Sequence, residues 1–167
     1  MAGVIVPSAI DMISKQARDI AIFIRQAVKE MTYGNDEIKD NMQGACAIAS
    51  YTLWLAYNSV GIKSILANKE DHCWIELLGQ WPWSESIIVD ITATQFSKRG
   101  RGGCCCPDVF TIQAETNTDH YDYRQPTFRG RETLMDLEQW IEEQCPRMYA
   151  AEIADLINNL SEHHYVQ

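Results

Sequence analysis

An aspartate lies inside the most β-branched stretch of this chain, Ser86-Ile87-Ile88-Val89-Asp90-Ile91-Thr92. Residues of this kind at this density specify a strand. A carboxylate buried in a strand is costly unless something pairs it. Asp90 therefore demands a partner. A histidine N–H on a neighbouring strand would satisfy it, fix the imidazole tautomer and stabilise the imidazolium. His72 is available, opening a second strand candidate, His72-Cys73-Trp74-Ile75-Glu76-Leu77-Leu78. The connection Gly79–Glu85, which contains Pro82, is short enough to make the two strands a hairpin.

Such a hairpin makes a geometric demand. In an antiparallel pair the numbers of facing residues have a constant sum, and facing side chains share a side of the sheet. His72 and Asp90 can touch only if that sum is even and roughly 162–164, because an odd sum puts them on opposite faces. Along the first strand, His72, Trp74 and Glu76 share one face while Cys73, Ile75 and Leu77 share the other. Cys73 is expected in the core, pointing away from His72.

Upstream, Gly44-Ala45-Cys46 opens an apolar stretch containing Ile48, Ala49, Leu53, Leu55, Ala56 and Val60, and Gly61 closes it. Apolar residues on nearly every side imply a central buried helix, with Cys46 in its first turn. A cysteine attacks as the thiolate, which is favoured beside an imidazolium or at a helix N-terminus. Gly44 permits close backbone approach there. Each residue alone also has a structural reading: Cys46 as a small core side chain, His72 as an exposed strand-end histidine, Asp90 on a solvated face. The three together read as nucleophile, base and orienter.

Taken in order, Gly44-Ala45-Cys46 at a helix start, His72-Cys73-Trp74-Ile75-Glu76 and Val89-Asp90-Ile91-Thr92 resemble the transglutaminase-like/papain-like superfamily. Its pattern is a helix-start cysteine, an HxWxE strand and a VDxT strand. Asp90-Ile91-Thr92-Ala93-Thr94-Gln95-Phe96 also resembles the DxTxxQF ending of small bacterial and phage proteins of this type. The resemblance covers about residues 40–96. It implies Cys46 as nucleophile, His72 as general base and Asp90 as the orienting residue. The oxyanion hole would use the Cys46 N–H with a nearby helper, Gln43 or Asn41, and Trp74 would line the substrate site. The implied activity is hydrolysis of an amide bond in a protein or peptide, by proteolysis or glutamine deamidation. Transglutamination, or binding without catalysis, is the alternative. No cofactor or metal is implied.

The rest of the chain frames this core. Ile10, Ile13, Ala17, Ile20, Ile24, Ala27 and Met31 recur at helical spacing, with Ser8 as N-cap, Asp11 three residues on and Gly34 as stop. Ile62–Ala67 and Val109–Gln113 read as further strands, and Asp119–Gly130 as irregular. Helices are expected from Thr133 to the Cys145-Pro146 stop and over Met148–Leu160. The fold expected is α+β. The cysteine-bearing helix would pack on a small antiparallel sheet, flanked by N- and C-terminal helices in a single domain spanning 1–167. Residues 97–167 form an extension outside the resemblance.

The net charge of −9 argues against sequence-independent nucleic-acid binding, which needs a basic footprint. Met1–Gln16 lacks a basic segment followed by an apolar one, and no apolar run nears the roughly 18 residues that cross a bilayer. A soluble, cytoplasmic protein with mostly reduced cysteines is expected. Cys104-Cys105-Cys106 would need His120 and Cys145 to complete a zinc site, and adjacent side chains diverge, so a loop is the better reading. Lys98, Arg99 and Arg101 form a basic loop placed to border the cleft. Trp81 and Trp83 are expected at a hairpin tip, and His163-His164 in a polar tail.

Overall fold

A computed structural model describes residues 13–31, 42–79, 85–96 and 106–130, together with Asp155 and Asn158. Helix α1 spans Lys15–Met31 and buries Ala17, Ile20, Ala21, Ile24 and Val28 along one stripe. Its cap is Ser14, whose hydroxyl accepts the Ala17 N–H at 3.1 Å. Ser8, Asp11 and Gly34 lie outside the described residues, and Ile13 precedes the helix yet is buried. Helix α2 spans Cys46–Ser59 and is buried on several sides by Ile48, Ala49, Leu53, Ala56 and Tyr57. It ends as expected, with Gly61 in the left-handed region at φ 77° and its N–H bonded to the Asn58 carbonyl. The Tyr57 hydroxyl reaches the Ala17 carbonyl at 2.9 Å and ties the helices together.

The strands are β1 (Ser64–Lys69), β2 (His72–Leu77), β3 (Ile87–Asp90), β4 (Phe110–Gln113) and β5 (Phe128–Arg129). They form one antiparallel sheet in the order β4-β3-β2-β1-β5. Lys69 faces His72, so Glu70 and Asp71 alone make the β1–β2 turn, with Glu70 at φ 56°, the positive value such tight turns require. β3 is shorter than its β-branched run suggested. Ile91 and Thr92 leave the sheet and lead into a 3-10 turn, Ala93–Phe96. β5 lies in the stretch expected to be irregular.

The sheet separates two apolar layers. Cys73, Ile75, Leu77, Ile87 and Val89 face α1 and α2. Ala67, Trp74 and Ile88 face the other way, beneath Tyr123. Among the described residues this is an α+β architecture, in which α1 and α2 pack on a sheet of five antiparallel strands. Glu76 is buried on the second face and pairs with Arg129 of β5 at 3.2 Å. Among the described residues no helix is long and apolar enough to cross a membrane. Asn41, Trp81, Trp83, Lys98, Arg99, Arg101, Cys104, Cys105, Cys145, His163, His164 and the helix expected from Thr133 lie outside them; of the helix expected over Met148–Leu160 only Asp155 and Asn158 are described, and both are helical.

Two isoleucines on α1 test the packing. Ile24 is fully buried and Ile22 is 52% exposed. Ile24→Ala is expected to cost about 2–5 kcal/mol and Ile22→Ala less than about 0.5 kcal/mol, read as midpoint shifts in urea at constant slope.

Candidate active site

The β2–β3 hairpin pairs Ile75 with Val89, Glu76 with Ile88 and Leu77 with Ile87, so facing residue numbers sum to 164. This is the even register that contact between His72 and Asp90 requires. Continued along both strands, it sets Trp74 opposite Asp90 and His72 on the adjacent diagonal of the same face.

Asp90 is 1% exposed, and its carboxylate accepts four hydrogen bonds. Oδ2 receives His72 Nε2–H at 2.7 Å and the Tyr123 hydroxyl at 2.8 Å. Oδ1 receives the Thr92 N–H at 2.8 Å and the Thr92 hydroxyl at 3.0 Å. Burial alone would push this carboxyl up. The charge of His72 and these bonds outweigh burial and hold it below the ordinary aspartate value.

His72 is buried as well, and burial opposes its cation. The Asp90 charge and hydrogen bond, with Cys46 on the other side, raise it to about 9. The ring is therefore cationic at neutral pH and loses its proton as pH climbs through that value. Phe96 and Tyr121 meet it edge-on, each at a centroid distance of 4.8 Å. The Gln95 amide nitrogen lies 3.3 Å from Nδ1 and also donates to the Thr92 carbonyl at 3.0 Å. A donor facing Nδ1 suits a neutral ring, whereas the cation points Nδ1–H at the Cys46 thiolate.

Cys46 comes to this pair from the other side of the sheet. α2 packs against the face that carries Cys73, and its first residue projects past the start of β2. The Cys46 sulfur lies 3.4 Å from the Asp71 carbonyl and meets the side chains of Cys73 and His72. The hydrogen bond from the Cys73 thiol is the largest influence on it. Burial opposes ionisation, but the bond and charge of His72 and the Cys73 N–H add to the lowering. The thiol is held well below its ordinary value. The Cys73 thiol is pushed up by the same contact and by burial.

Local backbone aims the cysteine. The chain turns through Met42 at φ 69° and Gly44 at φ 90°, and the Ala45 N–H closes the turn on the Met42 carbonyl at 3.1 Å. Ala45 at the N-cap supplies no side-chain bond, so the first-turn N–H groups face the thiolate end uncapped by it. One turn later the Ser50 hydroxyl donates to the Cys73 carbonyl at 3.0 Å. Four residues of helix rise about 6 Å and two residues of strand about 6.6 Å. The bonds from Cys46 to Asp71 and from Ser50 to Cys73 therefore run in step and lock α2 to β2.

Cys46, His72 and Asp90 are thus brought together, the sulfur beside the imidazole and the imidazole bonded to the carboxylate. Gln43 is exposed in the turn just before Cys46. Trp74 departs from its expected role. It is fully buried, with its centroid 5.9 Å from His72 and its indole N–H 3.4 Å from Glu76, so it supports the histidine from behind and offers no surface to a substrate. Tyr121 and Tyr123 were missed, and His120 was weighed only as a zinc ligand, because a polar stretch without periodicity hid their place here. The signal was the alternation in His120-Tyr121-Asp122-Tyr123, which sets both tyrosines on one side of an extended segment. His120 Nε2 lies 3.1 Å from the Tyr123 hydroxyl and extends the chain outward. Arg25 was also missed. Buried on α1, it donates to the Ile91 carbonyl and to the Thr94 hydroxyl and pairs with Asp108 at 3.2 Å, securing the turn that carries Gln95 and Phe96.

Among the described residues, no group of three or more His, Cys, Asp or Glu side chains is arranged to hold a metal ion. Comparison with family models, curated proteins and solved structures finds no match to this chain.

The lowered thiol predicts selective labelling. At pH 6 an ordinary cysteine is less than about 1% thiolate, so Cys46 should take up iodoacetamide well ahead of the other five thiols. His72→Ala should slow that labelling by about tenfold or more. Mass spectrometry of tryptic peptides after brief labelling reads both outcomes.

Proposed function

We propose that this chain is a cysteine-dependent hydrolase of amide bonds in proteins or peptides, with Cys46 as nucleophile, His72 as acid and base and Asp90 as the orienting residue. The observation that carries this reading is the continuous contact from the Cys46 sulfur through His72 to an Asp90 carboxylate saturated with donors. The resemblance of its motifs and their order to the transglutaminase-like/papain-like superfamily supports the same roles and a core of that type.

The Cys46 thiolate attacks the substrate carbonyl carbon, and the carbonyl electron pair moves to oxygen. The uncapped N–H groups at the start of α2 stabilise that oxyanion. As the intermediate collapses, the C–N bond breaks and His72 gives its Nδ1 proton to the leaving amine, which departs and leaves a thioester. Neutral His72 then takes a proton from water, whose oxygen attacks the thioester; collapse releases the acid and restores the thiolate–imidazolium pair. Asp90 keeps the ring in the orientation that presents Nδ1 to sulfur throughout. Ammonia leaves if the substrate is a glutamine side chain, and an amino terminus leaves if it is a peptide bond.

The test uses purified protein on a denatured proteome, with mass spectrometry reading new termini and glutamine-to-glutamate conversion. Cys46→Ala should abolish either product, a loss of about a thousandfold or more. An unchanged product yield in Cys46→Ala would overturn the reading. Cross-linked amine in place of hydrolysis would redirect it to acyl transfer. The pH profile has a definite sign. The active pair exists above the lowered thiol value and below the His72 value of about 9, so kcat/KM should rise through a limb below the usual thiol range and fall through one near pH 9.

Tyr123→Phe removes one of the Asp90 donors without emptying its space. It should lower kcat by about tenfold and leave KM nearly unchanged, with stability reduced by about 1–3 kcal/mol, read by steady-state kinetics beside urea unfolding.

A further inference from the structure

Amide hydrolysis uses one thiol, and the structure sets two in contact. Cys73 stands on the face of β2 turned toward α2, 4% exposed; the bonds from Cys46 Sγ to the Asp71 carbonyl at 3.4 Å and from the Ser50 hydroxyl to the Cys73 carbonyl at 3.0 Å set the two thiols beside one another. A small apolar residue would fill such a core position. Instead the thiol is held by its surroundings: Asn68 Nδ2 donates to its sulfur at 3.4 Å, and the Ser50 hydroxyl fixes its carbonyl at 3.0 Å. Cys46 is half-buried, so small solutes reach it, while Cys73 is shielded behind it.

We propose that Cys46 and Cys73 form a peroxide-reactive pair, in which oxidation of Cys46 is captured as a Cys46–Cys73 disulfide. The Cys46 thiolate attacks one oxygen of a hydroperoxide; the O–O bond breaks, Cys46 becomes a sulfenic acid, and the departing hydroxide or alkoxide takes a proton to leave as water or alcohol. The Cys73 sulfur then attacks the Cys46 sulfur. The S–O bond breaks, and the hydroxyl leaves with the Cys73 proton as water. Two thiols are oxidised by two electrons and the peroxide is reduced. Closure brings the neighbouring sulfurs to about 2 Å. The bond withdraws the nucleophile and protects it from irreversible oxidation to the sulfinic acid. A dithiol reductant restores it.

The inference shares its cysteine with the proposed hydrolase but needs no hydrolysis. The full chain is treated with excess hydrogen peroxide, since the sulfenic acid consumes one peroxide and the sulfinic acid a second; its free thiols are then blocked, and it is digested with trypsin without reduction. Residues 40–63 contain Cys46 as their sole cysteine, and residues 70–98 contain Cys73 alone. The expected product is these two peptides cross-linked, lighter by two hydrogens than their sum and separated by dithiothreitol. In Cys73→Ser, Cys46 should proceed to sulfinic acid that dithiothreitol does not reverse. Wild-type Cys46 reaching sulfinic acid without the cross-link, or joining Cys104, Cys105, Cys106 or Cys145, overturns the proposal. Should Cys73→Ser fail to fold, the wild-type peptide map decides alone. A chain that forms the bond yet cleaves no amide leaves this inference standing and removes only the hydrolase.

Discussion

Everything around the site follows from keeping a carboxylate charged where water cannot reach it. Asp90 is almost wholly buried, and a lone charge there would take up a proton instead of paying the desolvation cost. The chain answers with four donors from three places: its own neighbour Thr92, His72 on the adjacent strand and Tyr123 from across the sheet face. Lose the register of the hairpin and both the histidine and the aspartate become liabilities. The same rule holds for the other buried carboxylate on this face, since Glu76 is met by Arg129 from the far edge strand. The polar face of this sheet is stable only as a network.

That network explains why the second face is built of aromatics. Trp74, Tyr121, Tyr123, Phe96 and Phe110 pack on one another and around His72 and His120. Rings supply large apolar area while two of them keep a hydroxyl in play. Tyr123 spends its hydroxyl on Asp90, and Tyr121 donates to the Lys69 carbonyl at 2.7 Å. Low polarity around the imidazole strengthens its attraction to Asp90, and the fixed rings leave it little freedom to turn.

What was legible beforehand follows the range of the interactions involved. The hairpin, its even register and the Asp90 demand were legible because β-branching and alternation are local, and because an aspartate among Ile88, Val89 and Ile91 conflicts with its neighbours unless paired. The start and end of α2 were legible for the same reason, from Gly44 and Gly61. Arg25 was hidden among exposed polar residues of α1, and its role depends on a turn far along the chain. Tyr123 was hidden because its contact with Asp90 spans residues that share no periodic pattern. Trp74 was misjudged because a motif position carries no information about which side of a side chain faces solvent. α1 starts at Lys15 because its cap is Ser14, whereas the spacing of apolar residues pointed to Ser8.

Placing the cysteine's helix against the opposite face from His72 and Asp90 has a chemical consequence. Cys46 must reach around the end of β2, and there it meets a donor from each side of the strand: His72 from the aromatic face, and the Cys73 thiol and N–H from the helical face. A thiolate in a half-buried position needs more than one such donor, since burial works against the charge. Its protonated form is provided for as well, by the Asp71 carbonyl at 3.4 Å. Helix capping at Ala45 contributes no side chain, so the stabilisation that a capping residue would divert remains directed at sulfur. The spacing that locks Ser50 to Cys73 therefore does more than pack α2. It fixes how far past the strand end Cys46 projects, and with it the separation between the sulfur and the imidazole that stabilises its charge.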